Sequence, residues 1–220
     1  MDIQSLEPKL PKPFYGILSK EIKELRPAQV KAIKKGLLEG KNLLVCTPTA
    51  SGKTLIAELA AVKSILEGKG KAVYIVPLKA LASEKYKDFK NRYGHILNVA
   101  LSMGEMDSAD PYLDNYDLII TTSEKLDSLI RHHTPWLSKL ATVVIDEIHL
   151  LNDPSRGPTL EVLITILRHL KKNVQLIALS ATIGNPEELA EWLDASLVKD
   201  DWRPVKLHKG VYHEGEIEFV

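Results

Sequence analysis

The 220-residue chain is long enough for one well-buried α/β core, and its 29 Lys plus Arg balance 29 Asp plus Glu to leave no net charge. That balance excludes a global field for polyanions, so any nucleic acid must be held by a local patch; the single cysteine excludes an internal disulfide, and the seven histidines lack the Cys/His spacing that holds zinc. Charges are scattered through the N-terminal region and no apolar stretch approaches the roughly 18 residues of a membrane span, so the expectation is a soluble, cytoplasmic protein with no signal peptide and no membrane contact.

Residues 1–13 hold Pro8, Pro11 and Pro13 with little apolar periodicity and read as an extended, partly mobile lead-in. From there, near-continuous apolar runs recur at 43–46, 72–76, 99–101, 118–121, 143–145 and 176–179, the pattern of strands buried on both faces. Helical patterns lie between them at 29–38, 53–66, 80–92, 124–132, 160–169 and 187–192. Gly68 and Gly70 close the helix at 53–66, while Asn185 and Pro186 mark the start of the one at 187–192. Cys46 ends an apolar run and reads as a buried structural thiol. Alternating strand and helix predict an α/β fold, a mostly parallel central sheet flanked by helices. Residues 14–200 form that domain, and 201–220 read as a short strand or linker rather than a closing helix.

Every motif with chemical content follows a predicted strand. In an open parallel sheet those carboxyl ends share one edge, where ligands bind. After the first strand comes Thr47-Pro48-Thr49-Ala50-Ser51-Gly52-Lys53-Thr54, a phosphate-binding loop. Small residues let backbone N–H groups point at a polyphosphate, Lys53 supplies a point charge for its terminal phosphate, and the Thr54 hydroxyl reaches a magnesium ion. Thr47 stands where such loops often start with glycine, and Ala50 where many carry another. After the strand at 143–145 come Asp146 and Glu147, one carboxylate for the metal and one for the attacking water; the competing reading is a helix cap. Together the two elements point to nucleoside-triphosphate hydrolysis with Mg²⁺. His149 is placed to hydrogen-bond Ser180 or Thr182 and so couple the hydrolytic site to the Ser180-Ala181-Thr182 loop, or else is a satisfied structural histidine. Adjacent His132 and His133 cannot share a helix face and read as surface residues.

The ordered set of Gln29, the loop 47–54, Pro77 to Ala82, Thr121 to Lys125, Asp146 to His149 and Ser180 to Thr182 resembles the motifs of superfamily-two helicases. Residues 122–130, Asp146 to Leu151 and Trp202-Arg203-Pro204-Val205 resemble in particular the archaeal Hjm helicases, relatives of the Ski and Brr helicases. The resemblance runs from about residue 14 to the end and implies a three-layer RecA-like P-loop NTPase domain. Its implications are residue by residue. Arg26 to Gln29 match the segment in which a glutamine amide reads adenine, making Gln29 the base reader, with Phe14 and Leu25 either lining the base pocket or packing in the core. Lys79, Thr122, Ser123 and Lys125 match positions that touch the phosphates of a single strand, and Arg156 with Gly157 matches a further strand contact. For the lysines the alternative is a solvated surface charge, and Lys85, Lys87, Lys90 and Arg92 read as the wet face of a helix. Where relatives often read Thr-Gly-Asp, this chain has Met103-Gly104-Glu105-Met106-Asp107.

The activity so implied is the first motor domain of a monomeric, ATP-dependent DNA helicase that unwinds forked or branched DNA from 3′ to 5′ in replication or repair. Its partners would be single-stranded or forked DNA and a second RecA-like domain of the same polypeptide, which would supply an arginine finger. Nothing in the sequence resembles that second domain, so the lobe alone should hydrolyse ATP very slowly, since such fingers contribute about a thousandfold or more. The competing readings are a nucleotide and single-strand binding module without useful catalysis, and an RNA helicase domain. A P-loop kinase is disfavoured for want of an acceptor pocket or lid.

Overall fold

The computed structural model describes residues 1–104, 109–170, 173–205, 208, 210–213 and 215–219. Residues 105–107 of the Met103 to Asp107 segment therefore lie outside the described residues.

Seven strands form the central sheet: β1 (Leu43–Cys46), β2 (Lys71–Val76), β3 (Val99–Ser102), β4 (Leu118–Thr122), β5 (Leu140–Ile145), β6 (Gln175–Ser180) and β7 (Ser196–Lys199). Their order is β3-β4-β2-β5-β6-β1-β7, and every pairing is parallel. The flanking helices are α1 (Lys12–Glu21), α2 (Pro27–Lys34), α3 (Lys53–Leu66), α4 (Lys79–Tyr93), α5 (Ser123–Arg131), α6 (Gly157–Leu170) and α7 (Pro186–Trp192). This is the expected three-layer α/β architecture.

The continuous apolar strands are explained by burial on both sides. Leu43, Val45 and Tyr74 face one core together with Phe14, Ile56 and Phe89 from α1, α3 and α4. Their chain neighbours Leu44, Cys46 and Val73 face the other, against Leu126, Leu163 and Leu193.

Three expectations change. Residues 1–13 are not an extended lead-in: Ile3–Lys9 is a 3₁₀ helix begun by Asp2, whose carboxylate accepts from Gln4 N, and Ile3, Leu6 and Leu10 are buried. Asp2 also bridges Glu24, so the N-terminal segment is part of the fold. The seventh strand, β7, and helix α1 were not expected from periodicity. Asn185 occupies the cap position of α7 but makes no capping bond, donating instead to Glu188 Oε2 at 3.1 Å. Residues 201–220 contain a short antiparallel pair, β8 (Gly210–His213) with β9 (Glu216–Phe219), exposed along its length and outside the main sheet.

Candidate functional site

The strand order sets the site. β5, β6 and β1 are consecutive neighbours, so the loop after β1, the Asp146-Glu147 pair after β5 and the Ser180 loop after β6 emerge side by side. The ladder extends just past the strands: Thr47 N donates to Ser180 O at 3.2 Å and Asp146 N to Ile75 O at 2.9 Å.

Residues 47–54 close into a loop because Ala50 (φ 63°) and Gly52 (φ 92°) are both left-handed. At Gly52 this freedom is obligatory, since a Cβ there would collide with the Gln29 side-chain nitrogen. The Thr47 and Ser51 hydroxyls meet at 2.7 Å across the loop. Gln29, 3% exposed, braces it from behind: its Nε2 donates to Gly52 O at 3.0 Å and its Oε1 accepts from Arg26 N at 2.8 Å. The Arg26 guanidinium donates to Ala50 O and lies 5.6 Å from the Trp202 ring, a cation–π contact. Gln29 thus fastens the loop to the start of α2, with one N–H and one lone pair of its amide left for a base. Phe14 packs edge-on against Tyr93 with ring centroids 5.7 Å apart, and Leu25 is buried; both are core residues. The cleft beside the loop, 440 Å³, is walled instead by Ile22, Arg26, Gln29, Gly52, Thr54 and Glu58.

Lys53 begins α3 and lays its ammonium over the loop, donating to Thr47 O at 2.9 Å and Pro48 O at 3.3 Å. Burial pulls its pKa down, opposed by the charges of Glu147 and then Asp146. The three groups therefore share one electrostatic site although they come from opposite halves of the chain. Asp146 is half-buried and doubly held: Oδ2 accepts from the Tyr74 hydroxyl at 3.0 Å and Oδ1 from Glu147 N at 3.1 Å. Glu147 has a left-handed backbone (φ 53°) at the cap position of the 3₁₀ turn Ile148–Asn152, and its side chain makes no capping bond to that turn. Strain of this kind in a non-glycine residue at a strand end accompanies functional sites.

Thr54 and Asp146 offer a hydroxyl and a carboxylate at this edge. Among the described residues no cluster of three or more His, Cys, Asp or Glu could hold an ion by protein ligands alone. Hard oxygen donors in small number suit Mg²⁺, which keeps waters and takes its other ligands from phosphates.

Other expectations give way. His149 does not reach Ser180 or Thr182: its Nδ1 lies 3.3 Å from Glu147 Oε2 without an aligned hydrogen bond, the buried Ser180 Oγ has no partner among the described residues, and Thr182 is exposed. Lys125 is not at the surface. It is 1% exposed with its ammonium 3.1 Å from Asp110, which also accepts from the Ser102 hydroxyl at 2.9 Å; an ammonium so desolvated is structural. Thr122 and Ser123 are buried at the start of α5, where Thr122 is the cap, accepting from Lys125 N at 3.5 Å. Lys79 is exposed at the first residue of α4. Arg156 is half-buried, its backbone N–H held by Asp153, and Gly157 lies against the backbone of Leu151, where any side chain would clash.

Lys85 and Arg92 are not a wet face either. Lys85 Nζ donates to Thr54 Oγ1 at 3.2 Å, and Arg92 pairs with Glu58 and Glu21. Burial raises the pKa of Glu58, opposed by Arg92, and Tyr93 donates to the same carboxylate at 2.8 Å. The residues missed beforehand, Tyr74 and Glu58, each left a signal. A tyrosine within an aliphatic strand needs a partner for its hydroxyl, and Glu58 falls three residues after Leu55 on the buried stripe of α3.

The DEAD/DEAH box helicase family profile matches residues 26–189. The chain is similar to the ATP-dependent DNA helicase Hel308 of Methanocaldococcus jannaschii, 56% identical over 206 residues, covering 90% of this chain and 17% of that protein. It is likewise similar to the Hel308 of Pyrococcus abyssi, 57% identical over 194 residues (88% of this chain, 27% of that protein), and of Caldivirga maquilingensis, 51% over 222 residues (100% and 29%). The chain thus spans less than a third of the length of these relatives. Among solved structures, the DNA-bound crystal structure of the DUF1998 helicase MrfA superposes with a TM-score of 0.73 at 30% identity, covering 88% of this chain and 30% of that one.

Proposed function

This chain belongs to the DEAD/DEAH box helicase family, and on that premise we propose that it is the ATP-binding motor domain of an ATP-dependent DNA helicase. The observation that carries this reading is the convergence of Lys53, Asp146 and Glu147 beside the loop 47–54, set by the adjacent strands β5, β6 and β1, with both carboxylate charges acting on Lys53 against the effect of its burial. Lys53 would leave the Thr47 and Pro48 carbonyls for the γ-phosphate of ATP, and the N-terminus of α3 would face the remaining phosphate charge. The Thr54 hydroxyl and Asp146 carboxylate would hold Mg²⁺, which when bound neutralises phosphate charge. Glu147 orients the attacking water and accepts its proton as the bond from γ-phosphorus to the bridging oxygen breaks and ADP leaves. Gln29 uses its remaining amide valences on adenine, next to the loop it already braces.

Single-stranded DNA would be gripped through its backbone by exposed Lys79, by the start of α5 at Thr122 and Ser123, and by Arg156. Unwinding of forked DNA from 3′ to 5′ is the activity this motor would drive, with a second RecA-like domain closing on the nucleotide. The relatives' names support DNA rather than RNA as the track.

The test is Glu147→Gln. The variant is expected to bind Mg-ATP like the parent by calorimetry, with competition by ADP, while in the complete motor single-turnover phosphate release falls about a hundredfold, the share of a general base. Unchanged turnover would refute the assignment of Glu147.

A further inference from the structure

Lys85 sits in α4, less than two turns after Lys79, and turns inward from that helix: the residue is half-buried and its ammonium donates to Thr54 Oγ1 at 3.2 Å. Thr54 is the hydroxyl to which the proposed function assigns the metal, and the role of Lys85 rests on that reading. A magnesium ion bound to that oxygen sits at about 2.0–2.1 Å from it. An ammonium hydrogen-bonded to the same oxygen would then lie within about 5 Å of a divalent cation, and repulsion at that separation is large against thermal energy in a partly buried site. The hydroxyl therefore serves one cation or the other. The buried carboxylate of Glu58, already held by Arg92 and Tyr93, also feels the charge of Lys85.

We propose that Lys85 is a resident cation of the magnesium position, hydrogen-bonded to Thr54 until the metal arrives and displaced by it, so that metal loading is transmitted to α4. The placement of α4 makes the transmission direct. The helix starts at exposed Lys79, immediately after the Pro77-Leu78 turn at the end of β2, on the edge assigned to the nucleic-acid strand. Lys85 has a second consequence for the nucleotide: without metal, its charge remains available to the phosphates, whereas with metal it does not.

The experiment measures dissociation constants for a fluorescent ADP, with excess Mg²⁺ and with chelator, for the parent, Lys85→Ala and Lys85→Arg, each first shown by circular dichroism and thermal melting to be folded. In Lys85→Ala, metal-free binding should weaken relative to metal-loaded binding by about tenfold compared with the parent, the effect of one cation near a polyphosphate. Lys85→Arg, which keeps the charge, should restore most of the parental ratio. Hydrogen exchange supplies the second readout: adding Mg²⁺ to the ADP-bound parent should change protection in the first turn of α4, and in Lys85→Ala it should not. An unaltered ratio in Lys85→Ala overturns the proposal, and identical exchange responses in the two proteins overturn the transmission to α4. Failure of the parent to bind ADP under either condition would instead sink the nucleotide-site reading on which this rests.

Discussion

Replacing Tyr74 by phenylalanine removes one oxygen from the molecule and isolates a single interaction. Tyr74 is 0% exposed in the middle of β2, and its hydroxyl reaches Asp146 Oδ2 at 3.0 Å. Burial and the neighbouring Asp146 charge hold its pKa well above the usual tyrosine range, so it is a neutral donor at any working pH. The ring itself packs edge-on with Phe89 at 5.5 Å, and phenylalanine preserves that contact. A hydrogen bond to a charged group contributes about 1.5–3 kcal/mol; Asp146 is only half-buried and water can take over part of the role, so the expected loss in Tyr74→Phe is the lower end, about 1.5 kcal/mol. The functional effect should be larger than this suggests. A carboxylate that ligates a metal is aimed by its own hydrogen bonds, and loss of such a partner typically costs ten- to a hundredfold in metal affinity. Urea denaturation should show a lower midpoint with an unchanged slope, and a Mg²⁺ titration of nucleotide binding should show half-saturation raised by about tenfold. Lower stability with an unmoved Mg²⁺ titration would refute the claim that Tyr74 aims Asp146 at the metal, leaving it a packing residue.

Two further predictions concern buried groups. Lys125→Met should cost about 3 kcal/mol in denaturant unfolding, because it removes the ammonium that balances the buried Asp110 charge; a variant of parental stability with weakened single-strand binding would reinstate Lys125 as a phosphate contact. Burial pushes the Cys46 thiol up to about 11, so it should react with thiol reagents only as fast as the native state opens. Because this pKa is raised in the folded state, the stability it contributes is whole below the unfolded thiol's value of about 8.5 and is lost as pH climbs towards 11. Cys46→Ala should flatten the stability profile in that alkaline window, and an unchanged slope there would contradict the burial argument.

How legible the molecule was beforehand follows from the range of each interaction. The strands announced themselves because a strand buried on both faces must be apolar at every position, and six such runs separated by helical periodicity admit little but a parallel α/β sheet. The loop 47–54 was equally plain: only small residues permit the turn that Ala50 and Gly52 make. Those are local requirements, written in adjacent letters. β7 escaped because its short edge segment has only Val198 fully buried, and helix α1 because three prolines precede or open it.

Side chains whose roles depend on a remote partner could not be assigned in this way. Lys125, Lys85 and Arg92 look alike on paper, charged residues on amphipathic helices. Folding sends the first inward to Asp110, aims the second at Thr54 and clamps the third between Glu21 and Glu58. The strand order is of the same kind: β5, β6 and β1 must become neighbours before a loop at residue 47 and a carboxylate at residue 146 can meet. Backbone geometry and burial patterns are short-ranged and survive in the linear chain, whereas the destination of a charge is set by whatever counter-charge the completed topology carries to it.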